Sequence, residues 1–162
     1  MHASERWRNV SRTVLAYLAT LSLGGQLINA DDATTDTSTL PSFVRVRVES
    51  GDGTELGRLS GDQATLARFR LTVECYARDG EGRALIAVDA VEAVAEAVQA
   101  ALRGKALDLV DYVADTSGAT LVSGHSVRFT EPSTLVSAPP LAGWARRILT
   151  ASGWWVLRHT TG

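Results

Sequence analysis

From Phe43 to Glu49 every second residue is apolar. Val44, Val46 and Val48 fall on one side of an extended chain, and Arg45, Arg47 and Glu49 on the other. The same period returns later, where Phe69, Leu71, Val73 and Cys75 alternate with Arg68, Arg70, Thr72, Glu74 and Tyr76. A repeat of two puts no continuous stripe on a helix, so the chain has to build a sheet with one buried face. The two runs are expected to pair as a long antiparallel hairpin across a turn-rich segment, residues 50–63. A chain of 162 residues is the size of one domain, so the rest of it must cover the apolar face of that sheet.

Two segments carry the helical period instead. Trp7, Val10, Val14, Tyr17 or Leu18, and Leu21 recur at spacings of three and four, with Ser4 as a plausible N-cap, Glu5 near the positive helix end and Gly24-Gly25 as a stop. A secretory signal competes for residues 1–30, because Arg6, Arg8 and Arg12 precede the apolar run from Val14 to Ala19 and Ile28-Asn29-Ala30 resembles a cleavage site. A signal core has no such stripe, so the amphipathic helix is the preferred reading. No stretch reaches the roughly 18 to 20 apolar residues of a membrane span. After the breaker Asp79-Gly80-Glu81-Gly82, residues 84–102 put Leu85, Val88, Val91, Val94 or Ala95, Val98 and Leu102 on one side and Asp89, Glu92, Glu96 and Gln99 on the wet side. Their many alanines favour a helix that packs closely on a sheet, and Gly104 is its expected terminator.

Between these elements, residues 22–42 are polar and small and read as a long exposed loop, either ordered by a neighbouring subunit or a plain connector. Leu107 to Val113 reads as a short strand or turn, and Val127-Arg128-Phe129 as a strand closed by Glu131-Pro132. Pro139-Pro140 is expected to bar regular structure. The segments 144–150 and 154–159 read as a terminal hairpin, or as one strand bulged at Ser152-Gly153. The class is α+β: one domain over residues 1–162, an antiparallel or mixed sheet packed by an N-terminal helix and a central alanine-rich helix, in the order α-β-β-α-β-β.

Chemistry is sparse. Lys plus Arg total 16 against 18 for Asp plus Glu, a formal charge of −2, so no global positive field draws in a nucleic-acid backbone. Cys75 stands alone, which excludes an intrachain disulfide. His2, His125 and His159 have no ligand partner at metal spacing, and Asp108, Asp111 and Asp115 read as a solvated polar face rather than a cation site. Gly51-Asp52-Gly53 opens no helix and reads as a turn rather than a phosphate cradle. Ser123-Gly124-His125-Ser126 lacks the strand-to-helix elbow of a nucleophile. The chain is therefore expected to be no enzyme, with no catalytic residue, no metal and no cofactor. What remains is a candidate interface. Arg45, Arg47, Arg68 and Arg70 emerge on the outward faces of two pairing strands, where Glu49, Glu74 and Glu55 are available to offset them. Trp154 and Trp155 must point to opposite faces, so one fills the core and the other is an aromatic of the kind interfaces favour.

The run Phe43 to Val48, the strand ending Val73-Glu74-Cys75-Tyr76 with Ala77 to Gly82 after it, the helix over 84–102, the N-terminal helix and the tryptophan-bearing C-terminal region together resemble the tail-terminator proteins of long-tailed bacteriophages. The likeness lies in element order and pattern, with no diagnostic motif. It implies a small α+β structural protein of the virion, assembled in the host cytoplasm. Such a protein forms a homo-oligomeric, hexameric ring that caps the tail tube, with the tube protein and the head or neck connector as partners. No membrane is implied, and DNA meets the ring only by passing through its lumen. A head-to-tail connector or minor tail protein is the nearest alternative, and an exported binding protein, with residues 1–30 as its signal, the more distant one.

Overall fold

The computed structural model describes the backbone of residues 3–23, 25–30, 34–59, 62–78, 87–130, 134–141 and 143–159, with their side chains except 3–6, 52–59, 62, 134–141 and 158. The chain runs α1 (Ala3–Ala19), β1 (Gln26–Asn29), β2 (Ser42–Leu59), β3 (Asp62–Ala77), α2 (Ala87–Leu102), β4 (Ala106–Val110), β5 (Leu121–Phe129), β6 (Thr134–Leu141) and β7 (Trp144–His159). Six strands form the path β1-β2-β3-β7-β5-β4, and β6 joins as a seventh beside β7. The fold is α+β with a mixed sheet, as the sequence indicates. Its order is not α-β-β-α-β-β, since β1 precedes the first long strand and four strands follow α2.

The alternating runs pair as expected, Val44 facing Cys75, Val46 facing Val73 and Val48 facing Leu71. Their apolar side chains meet Val10, Val14 and Leu18 of α1 and Ala87, Val91, Ala95, Val98 and Leu102 of α2 in one buried cluster. Both helices therefore cover the same face of the sheet. Full burial of residues the size of Val14 or Leu18 stabilises by roughly 1.5–3 kcal/mol each, which makes α1 part of the core. Tyr17 ties the two helices together, its hydroxyl donating to the carbonyl of Ala101 at 2.9 Å. α2 ends where Gly104 takes φ +59°, but Val88 is 58% exposed and belongs to its wet side, not to the stripe. Ser4 lies inside α1 rather than before it. Gly24, the breaker from Asp79 to Gly82, Leu85, and the Glu131-Pro132 closure fall outside the described residues.

Four further readings are corrected. The segment 22–42 is not all loop: Gln26–Asn29 pairs parallel with β2, Leu27 facing Val44 and Ile28 facing Arg45. Its two apolar residues suffice for this, and residues 30–41 provide the crossover that parallel pairing needs. The segment 50–63 is mostly strand: after a register shift between Ser50 and Thr54, pairing resumes from Thr54 with Ala67 to Leu59 with Asp62. Gly51-Asp52-Gly53 is thus a bulge, in keeping with Gly51, where a Cβ would lie 2.9 Å from the Arg68 carbonyl oxygen. Pro139 and Pro140 sit within β6, between Ala138 and Leu141, where its register against β7 shifts. Because β6 has a single strand neighbour, prolines that donate no hydrogen bond are tolerated there. Finally, β7 is neither a hairpin nor bulged, for its register with β3 runs unbroken from Ala145 to His159. Gly153 answers to a different need: a Cβ there would sit 2.6 Å from Cε1 of Phe69 and 2.7 Å from the Arg128 carbonyl.

The three terminal strands are each restricted in further pairing, whereas β2 beyond Val46 has no strand on its outer side among the described residues. β1 is four residues long. β6 carries its prolines. β4 is capped by α1, whose buried Thr13 and Asn9 accept hydrogen bonds from the amides of Val110 (3.1 Å) and Tyr112 (2.9 Å). These are measures by which sheet proteins avoid joining edge to edge.

Candidate functional site

With both helices on one face, the opposite face of the sheet carries neither helix and is exposed at Arg47, Glu49, Arg68 and Arg70, though buried at Ala64, Tyr76 and Val156. Register decides what lies there. Arg45 faces Glu74, Arg47 faces Thr72, and Arg70 faces Glu49, so no two of the four arginines predicted from β2 and β3 oppose each other. The expected offset by Glu49 and Glu74 is built into the pairing, and Arg47 also reaches Glu49 along its own strand at 3.8 Å. The side chain of Glu55 lies outside the described set. Arg68 faces Trp154 across β3 and β7, and its guanidinium carbon sits 4.7 Å from the indole centroid. A cation held over an aromatic face gains about 0.5–1 kcal/mol at an exposed site and fixes a long side chain in place.

The strand ladder adds two arginines that the sequence reading passed over. Arg146 faces Tyr76, and Arg128 faces Trp154 from the other side. Trp154 is therefore flanked by Arg68 and Arg128 in one row across three strands. Local alternation in β5 and β7 hints at their direction, but only the register shows that they join the same face. Arg147, one residue on, points to the helix side and pairs with Glu92 of α2 at 3.4 Å.

Trp155 is not part of the surface. It is 2% exposed and packs in the core, its ring 5.0 Å from that of His125. Alternation required one of the two tryptophans to be internal, and the core took Trp155.

At one end the open face has an aromatic cover. Phe43 and Tyr76 face each other across β2 and β3 and stack at 4.5 Å, and Trp144 meets Phe43 edge-on at 5.1 Å. With Ile28 and Leu40 they form a second small cluster. Tyr76 is outward, as its place in the alternation demands, yet buried by this cover. Arg45 lies 5.6 Å from the Phe43 centroid and 5.8 Å from that of Tyr76, and Arg78 lies 4.8 Å from that of Trp144.

The groups weighed as chemistry have structural work. Asp111 accepts from the amides of Ala114 and Val113 and from Asn9, and these bonds, that to Ala114 foremost, hold its carboxyl below the usual range. Asp115 is lowered in the same way, first by the Ser117 hydroxyl at 2.6 Å and then by Thr120 at 2.9 Å. Both pin the connection between β4 and β5. Asp108 stands on β4. No group of three metal-ligating side chains converges among the described residues. Thr65 and His159 share a hydrogen bond at 2.7 Å across β3 and β7. His125 and Ser126 alternate to opposite faces of β5. Burial, with a smaller push from the Glu74 charge, raises the Cys75 thiol to about 12. Such a thiol is a packing group, not a nucleophile. No described helix is long and apolar enough to cross a membrane.

The class of protein these features define is an α+β domain with a helix-covered face and an arginine-rich open face. No family model matches the chain, and no curated protein does. Fourteen chains of solved structures match it. One of them, named only by a sequence identifier, aligns over 100% of this chain and 99% of its own with a TM-score of 0.51 at 13% identity. Likeness at that identity shows a shared fold and nothing about activity.

Proposed function

We propose that the chain is a structural virion protein, a tail terminator whose hexameric ring caps the tail tube and joins it to the head or neck. The observation that carries this reading is the sheet face that neither helix covers: a row of arginines with a flanked tryptophan. Arginine and tryptophan are the residues in which binding energy at protein interfaces concentrates. The element order supports the resemblance as well, a helix before the long strand pair and a second helix after it. The role of α1 disfavours the exported-protein reading, since cleavage after Ala30 would remove Val10, Val14 and Leu18 from the core and strip the cap from β4.

The test is to polymerise the tail-tube protein encoded in the same genome with and without this chain. Growth that stops, with a ring visible at one tube end by electron microscopy, is the expected result. Tubes that lengthen unchanged and carry no ring would refute a terminator.

A further inference from the structure

The open face is strongly and unevenly charged. Among the residues whose side chains are described, register places Arg45, Arg47, Arg68, Arg70, Arg128 and Arg146 on it with Glu49, Glu74 and Asp108, six cations against three carboxylates in a chain whose formal charge is −2. None of its described positions is a lysine. The Nε atoms of Arg128 and Arg146 are buried with no hydrogen-bond acceptor among the described residues. On the opposite side α2 carries the reverse sign, while α1, on that same side, carries Arg8 and Arg12. α2 contains Asp89, Glu92 and Glu96 and no basic residue, and Asp89 and Glu96 are exposed beside Val88.

We propose that the arginine face docks the exposed acidic side of α2 on a second copy of this chain, head to tail. This rests on the reading of the protein as a ring subunit and assigns that ring its two contact surfaces. Three observations lead to it. The charges are complementary, and they lie on opposite sides of a two-layer molecule, so one contact leaves both remaining patches free for the next copy. A two-fold pairing would set arginine against arginine; unlike patches give a heterologous contact, the kind that closes into rings. β1 is short and β6 carries two prolines, which favours faces over those edges as the means of association. Carboxylates interleaved with arginines suit a protein surface of mixed sign, where a nucleic-acid backbone favours an unbroken positive track.

Charge exchange tests it. Arg47→Glu with Arg70→Glu makes both patches acidic, and Asp89→Arg with Glu96→Arg makes both basic; all four residues are exposed. Each variant of the full chain is expected to associate at least tenfold more weakly than the original by sedimentation and native mass spectrometry, with an unchanged circular dichroism spectrum. An equimolar mixture is expected to recover the original oligomer, alternating the two variants. A single chain carrying all four substitutions is expected to self-associate again and to exclude the original chain. An original chain that forms closed oligomers, with variants that neither weaken it nor complement each other, would overturn the assigned surfaces and leave the ring standing. A chain that stays monomeric at every concentration would overturn both. A monomer that instead binds a single-stranded oligonucleotide, and loses it on Arg47→Glu with Arg70→Glu, would overturn the proposal in favour of nucleic acid.

Discussion

At the scale of single residues, Gly153 shows how a position can be legible in type but not in cause. A glycine inside a strand pattern signals either a bulge or a close approach, and the sequence leaves a hairpin or a bulge as the readings here. The cause is the Phe69 ring lying over the Cα on the neighbouring strand, a partner far away in sequence. Gly153→Ala is expected to destabilise by about 1–3 kcal/mol, the usual range for forcing an extra carbon into a packed site. The midpoint of urea denaturation measures it. In a Phe69→Leu background the same substitution is expected to cost clearly less, because the two sites share the contact. Cys75, by contrast, was read correctly from its place in the alternation. Its folded thiol is raised from 9.0 to about 12, so its contribution to stability is complete below 9.0 and is lost as pH rises towards 12. In the native protein at pH 8 the thiol is expected to resist a disulfide reagent and to react on addition of denaturant. Prompt reaction without unfolding would contradict its burial.

At the scale of elements, the long periodic segments were legible and the short or exceptional ones were not. α1, α2, β2 and β3 repeat their pattern often enough to declare themselves. β1 has two apolar residues, and β6 contains two prolines that only an edge position tolerates; tertiary pairing decides both. The cap of α1 on β4 is not legible in the sequence, because nothing local places the polar Asn9 and Thr13 against β4. Asn9→Ala is expected to leave the partly buried Tyr112 amide without its acceptor, at a cost of about 1 kcal/mol. Hydrogen exchange at Val110 and Tyr112 measures the opening, and unchanged protection would mean that the cap holds nothing. The connection after β4 has its own pH dependence. The carboxyls of Asp111 and Asp115 are lowered from 3.8 by the bonds they accept, so their support is present above 3.8 and is lost as pH falls through their native values. Amide exchange at Ala114 and Ser117, corrected for its intrinsic pH dependence, is therefore expected to speed up on acidification below 3.8 while β3 stays protected.

At the scale of the whole molecule, the alternation in β2 and β3 was enough to place Arg45, Arg47, Arg68 and Arg70 on one side. Arg128 and Arg146 were out of reach, because their membership depends on β7 lying beside β3 and on the register between them. The side on which the acidic stripe of α2 lies likewise depends on α2 packing against the inner face. The resulting molecule has two layers, with an arginine-rich face on one side and an acidic stripe of α2 on the other, unlike surfaces suited to repeating contacts between copies. The most direct test of this account is the mass of the full-length assembly by native mass spectrometry as salt is raised. A closed oligomer of six copies at low salt, shedding subunits as its charged contacts are screened, is the predicted result. A monomer at every concentration and salt level would contradict it.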